Sequence, residues 1–326
     1  MSKERVAWFD FLRGIAILMV IGIHTFASTL QKGELVCDSL LILRQLLNCA
    51  VPLFLAISGF FLARKSGERS YGQFWKRQIP KVYVPTLIWS LPYLGLYIWQ
   101  GNEWWKGIVL LFVCGFSIYY FIALIVQYYL LLPVLSKIKR GGVILTFIIT
   151  MLSIGVVSYL DLIKGYGMSS IVKGGPFPVW MIFFTVGIYL GNMKERTYRL
   201  WPWLLLLVVG LSLSFWETKW VYPFHHAGYG IKPSTHIYSL AVIMVLFSQR
   251  VQKMFTSDNC VFNAFVYLGR ISFGVYLTHC FFIMVLTHFL EFDWASLTVL
   301  TLALTVCFIY ATRRITPGVA RKVGFY

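Results

Sequence analysis

Charge is scarce in this sequence, acid scarcer still, and no segment carries the composition of a water-soluble domain. Asp, Glu, Lys and Arg together make up 13% of the 326 residues, against about 25% in ordinary soluble domains. A cytosolic globular enzyme is excluded. Only 12 residues are acidic. No stretch shows the short alternating pattern of outer-membrane barrel strands. Long linkers, low-complexity tracts and convincing internal repeats are also missing, so residues 1–326 read as one transmembrane domain. No small-residue cleavage pattern follows the first apolar run, which is therefore expected to be retained as a span. The six cysteines form no CxxC pair and have no regular spacing. They read as small buried packers, with a Cys37–Cys114 bridge disfavoured.

What remains is apolar. Hydrophobic residues make up 59% of the chain and aromatics 18%, with a mean hydropathy of +0.74. Disorder is excluded by that content. About 192 apolar residues, at roughly 20 per crossing, are enough for close to ten transmembrane helices. Apolar runs between charged or Gly/Pro-rich breaks place them at 7–29, 41–63, 82–100, 117–136, 142–161, 177–193, 201–217, 233–250, 264–289 and 294–312. The fold expected is all-α and polytopic. Segment 106–116 is apolar but too short to cross unaided, so it is interfacial or re-entrant.

The net charge of +17 is informative by position. With the N-terminus inside, 20 of the 29 Lys and Arg residues fall in cytoplasmic segments and six in outer ones. That bias puts both termini in the cytoplasm. The basic residues are scattered between spans and do not gather on one domain, so no nucleic-acid partner is expected.

Span one, RVAWFDFLRGIAILMVIGIHTF (5–26), carries Asp10, Arg13 and His24 in an otherwise apolar helix. At about 100° per residue all three line one stripe, with Arg13 and His24 roughly 16 Å apart along the axis. Ionisable groups at membrane depth mark a site by default. Asp10 and Arg13, three residues apart near the inner end, also fit a simple ion pair that snorkels. His24 lies beyond the midplane, where that explanation fails.

Residues 63–85, ARKSGERSYGQFWKRQIPKVYVP, read as a basic cytoplasmic loop. Within it Lys76, Arg77 and Lys81 stand just before a span, and the pair four residues apart can present donors to one anion, for which phosphate is suited. In VYLTHCFFI (275–283), Ser272, Tyr276 and His279 share a helix face and His288 points away. His279 is open to two readings, a hydrogen-bonded core histidine or a site residue. The outer stretch 222–238 holds His225, His226 and His236 among aromatics, a platform suited to carbohydrate. LAISGFF (55–61) and the GxxxG at Gly187 and Gly191 read as close helix packing. Ser58 there has no Asp or His at a spacing that would make it a nucleophile.

The motifs FDFLRGIAILMVIGIH (9–24), VPLFLAISGFFL (51–62), FWKRQIPKVYVP (74–85), QYYLLLPVL (127–135), FFTVGIYLG (183–191) and ISFGVYLTH (271–279), in this order, resemble the acyltransferase-3 family of integral-membrane O-acyltransferases. The resemblance spans nearly the whole chain. It implies a ten-helix core in the bacterial cytoplasmic (inner) membrane that moves an acyl group, commonly acetyl, from cytoplasmic acyl-CoA to a hydroxyl of an outward-facing glycan or lipid-linked sugar. Carried over by motif, the family's arginine and histidine fall on Arg13 and His24. The basic motif falls on Arg77 and, with Lys for the usual second Arg, on Lys81. Tyr119 and Tyr120 stand where the family usually has Trp.

The assignment expected is therefore His24, Arg13 and Asp10 for catalysis, and Arg77, Lys81, Lys76 and Arg13 for acetyl-CoA. His279, Tyr276, Ser58 and Tyr120 are expected on the acceptor side, and no metal takes part. A multi-spanning transporter and a non-catalytic substrate-binding protein are the rival readings; the broken helices and repeat that a transporter often shows are not apparent.

Overall fold

The computed structural model describes residues 3–30, 38–63, 70–221, 230–256 and 259–325. All regular structure among them is helical. Among them, seven helical stretches are long and apolar enough to cross a membrane: Ala7–Thr29, Asp38–Ala63, Tyr71–Trp99, Arg140–Asp161, Trp201–Trp220, Ser272–Phe289 and Trp294–Ile315. Three shorter apolar helices, Tyr120–Leu135, Phe177–Asn192 and Pro233–Leu246, fall on the remaining three stretches expected to span. In a bilayer, helices satisfy every backbone polar group internally, which is why this composition yields a bundle.

In chain order the elements are α1 (Lys3–Leu30), α2 (Asp38–Leu47), α3 (Ala50–Ala63), α4 (Tyr71–Trp99), α5 (Trp104–Phe112), α6 (Tyr120–Leu135), α7 (Arg140–Ser158) and α8 (Ser170–Gly174). They continue with α9 (Met181–Asn192), α10 (Trp201–Val221), α11 (Pro233–Leu246), α12 (Gln249–Phe255), α13 (Cys260–Arg270), α14 (Ser272–Phe289), α15 (Trp294–Ile315) and α16 (Pro317–Lys322). A π-helical turn, Tyr159–Ile163, closes α7, and a 3-10 turn, Phe177–Trp180, opens α9. α5 has nine residues, too few to cross.

Three boundaries differ from those read in the sequence. The 41–63 span is two helices, interrupted at Asn48 and Cys49. There the Asn48 N–H donates to the Gln45 carbonyl at 3.1 Å, an i→i+3 turn that tightens the end of α2. The 264–289 span is likewise two helices that meet at Ile271. The basic loop 63–85 is a helix from Tyr71 onward, with Pro80, Pro85 and Pro92 inside α4. Such prolines break helices in water but are tolerated in membrane bundles.

Small residues set the closest packing. A Cβ added to Gly59 of α3 would stand 2.2 Å from the Phe184 carbonyl oxygen, and one on Gly187 of α9 2.1 Å from that of Ala56. The two backbones therefore touch, as the small-residue motifs predicted. α9 is buried almost throughout, so protein, not lipid, surrounds this short helix. Cys49 and Cys114 are buried and Cys280 half-buried, whereas Cys260 and Cys307 are exposed. That corrects the reading of the cysteines as buried packers: in lipid, apolar side chains lose nothing by facing outward. His225, His226 and Cys37 lie outside the described residues.

Candidate active site

α1 runs unbroken from Lys3 to Leu30, so the stripe predicted for Asp10, Arg13 and His24 is kept. At one end the Asp10 Oδ1 accepts from the Arg13 Nη1 at 2.9 Å. Arg270, the last residue of α13, brings its Nε to 3.6 Å from the Asp10 Oδ2. The Arg13 guanidinium also lies over the Phe61 ring, 5.0 Å from its centroid. Asp10 is thus shared by two cations from different helices. The local cause is α13 lying directly on α1, where Gly14 meets the Phe265 carbonyl and Gly269 that of Asp10.

At the other end of the stripe, His24 lines a cavity of about 370 Å³. Its wall descends to Val20 on α1 and includes Tyr120, Tyr276, Arg44 and the Asp161–Lys173 pair. Tyr276 donates its hydroxyl to the Ile118 carbonyl at 2.6 Å, so it offers the cavity a ring face. The Tyr120 hydroxyl has no hydrogen-bond partner among the described residues. Its neighbour Tyr119 points elsewhere: it is fully buried and donates to the Leu277 carbonyl at 2.7 Å. Of the two adjacent tyrosines, Tyr120 is the one on the cavity.

His279 stands behind the wall on α14, its ring centroid 5.4 Å from that of His24 and 6.2 Å from that of Tyr276. It is completely buried. A carbonyl can only accept, so the 3.0 Å contact from Nδ1 to the Val275 oxygen places the ring proton on Nδ1. The Nε2 then carries the lone pair. His24 itself makes no ring hydrogen bond among the described residues. Its nitrogens remain available to whatever occupies the cavity.

Ser58 is half-buried on α3, away from the cavity wall. Lys76, Arg77 and Lys81 are exposed on the first turns of α4. Those turns are fastened to the far end of α6: Trp75 donates to the Tyr129 carbonyl at 2.7 Å, and the Tyr71 hydroxyl meets the Ser136 hydroxyl at 3.2 Å. The basic cluster is therefore at the end of the bundle opposite Tyr120 and the cavity.

Several residues escaped the sequence reading. Arg44 projects from α2 into the cavity wall, its Nη1 donating to the Asn48 Oδ1. Asp161 and Lys173, counted in the sequence only as outer charges, pair with each other at the cavity. The Asp161 Oδ1 also accepts from the Met168 N–H at 2.9 Å. A cation inside an apolar span was the available signal for Arg44; nothing in the sequence announces the Asp161–Lys173 pairing. Arg196, one of the basic residues counted between spans, is only 1% exposed. It lies 4.9 Å above the Phe60 ring and donates to the Gln252 Oε1 at 3.1 Å. His236 is also corrected. It is no surface platform but is buried in α11, 5.0 Å from the Trp180 ring.

Comparison with known proteins agrees with this architecture. A protein of Bacillus subtilis (strain 168) named "Putative membrane-bound acyltransferase YfiQ" is 25% identical over 302 residues, covering 84% of this chain and 80% of its own. No solved structure matches. The model of the acyltransferase-3 family, described as an acyltransferase domain, matches residues 6–314. The chain, a helical membrane protein, belongs to that family.

Proposed function

We propose that this membrane acyltransferase moves an acyl group, acetyl above all, from cytoplasmic acyl-CoA to a hydroxyl of a glycan or lipid-linked saccharide on the outer side of a bacterial cytoplasmic membrane. The observation that carries the reading is the placement of the His24 imidazole on the wall of a cavity large enough for a sugar ring, with no ring hydrogen bond of its own among the described residues.

In this reading His24 takes the proton of the acceptor hydroxyl as its oxygen attacks the thioester carbonyl. The C–S bond breaks, and the departing CoA thiolate recovers a proton from the imidazolium. No net proton is gained or lost. Lys76, Arg77 and Lys81, exposed at the opposite end, hold the CoA phosphates on the cytoplasmic face. Arg13, kept in place by Asp10, adds charge part-way along α1. Tyr120 orients the acceptor through its hydroxyl, Tyr276 through its ring, and His279 supports the wall behind His24. Ser58, away from that wall, belongs to the packing of α3.

The test is transfer of labelled acetyl from acetyl-CoA to candidate glycans by the purified protein in vesicles. Labelled glycan supports the proposal. Movement of an unmodified saccharide across the vesicle, or saccharide binding without labelling, refutes it.

A further inference from the structure

His24 of α1 and the successive His279 and Cys280 of α14 bring three metal-binding atoms within 4.8 Å of one another. His24 and His279 are 255 positions apart in the chain, so no spacing announces the set. Two features distinguish it from a chance cluster. The first is orientation: His279 donates Nδ1–H to the Val275 carbonyl at 3.0 Å, and its bare Nε2 lies 3.5 Å from the Cys280 Sγ. A backbone carbonyl that fixes the tautomer of an imidazole is the usual support of a metal-ligating histidine. The second is availability, since no hydrogen bond to the His24 ring among the described residues has to be broken.

Two imidazoles and one thiol make a borderline-soft donor set. It suits Zn²⁺ and does not suit Mg²⁺ or Ca²⁺, which take oxygen ligands. With bonds of about 2.0–2.1 Å to nitrogen and 2.3 Å to sulfur, tetrahedral ligands stand about 3.4 Å apart. From a widest separation of 4.8 Å the set must therefore contract by about 1.4 Å, a movement within reach of side-chain rotation at His24. Three protein ligands leave a fourth position, and His24 turns it toward the cavity.

We propose that His24, His279 and Cys280 form a zinc-binding site whose filling silences the enzyme. The inhibitory half of this proposal rests on His24 being the base. Binding replaces the Cys280 S–H bond with a Zn–S bond and releases one proton; both imidazoles bind through existing lone pairs. The His24 lone pair is then held by the ion and cannot accept the acceptor's proton. Zinc here is a regulator and takes no part in the transfer.

The test uses tag-free protein in detergent, stripped with chelator and titrated with Co²⁺ as a spectroscopic probe, then with Zn²⁺. Expected are one Co²⁺ per chain with intense tetrahedral visible bands, a near-ultraviolet thiolate band, displacement by Zn²⁺ and release of one proton per ion. Cys280→Ser should lose the thiolate band and bind Zn²⁺ roughly tenfold or more weakly. It should keep basal transfer while resisting Zn²⁺ inhibition by a similar factor. Absence of the bands in the unsubstituted protein, or a thiolate band that survives in Cys280→Ser, overturns the site. If Zn²⁺ binds as described but transfer is indifferent both to Zn²⁺ and to His24→Ala, the inhibitory half falls with the base reading. If transfer needs His24 and the protein binds no metal, the site falls and the base reading stands.

Discussion

The imidazole of His24 and that of His279 stand 5.4 Å apart at an interplanar angle of 48°, one on the cavity wall and the other fixed behind it by the Val275 carbonyl. This arrangement separates two roles. With His24 as the proposed base, His24→Ala is expected to lower turnover by about 10²–10⁴-fold. The variant should remain monodisperse with an unchanged melting temperature, because the His24 ring makes no hydrogen bond among the described residues. A variant that retains more than a tenth of the activity would remove His24 from the chemistry.

The exposed cations on α4 lead to a different kinetic signature. Arg77→Ala should raise the KM for acyl-CoA, or weaken CoA binding measured directly, more than it lowers kcat, since a phosphate contact far from the reacting atoms contributes uniform binding. Lys81→Arg restores a planar fork and should tighten acyl-CoA binding or leave it unchanged. An Arg77→Ala protein with unaltered CoA affinity would place the donor elsewhere.

The stripe on α1 was legible in the sequence because it depends on one helix and its period, and α1 is unbroken. The bundle and its long spans were legible for a similar reason: composition alone makes them. What escaped depends on contacts between distant segments. No local pattern brings Cys280 to His24, or Asp161 to Lys173. The break at Ile271 falls between Arg270 and Ser272, a single charge that was absorbed into the apolar stretch 264–289. The burial of Arg196 was not legible either, because a cation beside a span usually faces headgroups, whereas here the rings of Phe9 and Phe60 cover it. The basic charge of residues 63–85 favoured a loop, whereas from Tyr71 onward that stretch is the first part of a helix that continues through Pro80, Pro85 and Pro92.

Gly269 is the point on which the Asp10 end of the stripe depends. A Cβ there would lie 1.7 Å from the Asp10 carbonyl oxygen, a backbone neighbour that cannot rotate away. Gly269→Ala must push α13 off α1 and is expected to destabilise the protein by about 1–3 kcal/mol. The same displacement moves Arg270 away from Asp10. Thermal unfolding in detergent measures the first effect. Activity assayed well below the melting temperature measures the second, and both should fall. An unchanged melting temperature would mean that the two helices are not packed so closely.

The adjacent tyrosines give a paired test, because one hydroxyl is spent inside the protein and the other is not. Tyr119→Phe removes a buried donor from the Leu277 carbonyl and should cost about 1 kcal/mol of stability, with acceptor kinetics unchanged once the protein is folded. Tyr120→Phe removes a hydroxyl that has no partner among the described residues and sits on the cavity wall. It should leave the melting temperature unaltered and raise the KM for the acceptor, while the KM for acyl-CoA stays constant. The contrast decides more than either variant alone. If both substitutions act on stability, the cavity is structural at this wall; if Tyr120→Phe shifts the acyl-CoA constant instead, the donor, not the acceptor, occupies the space beside His24.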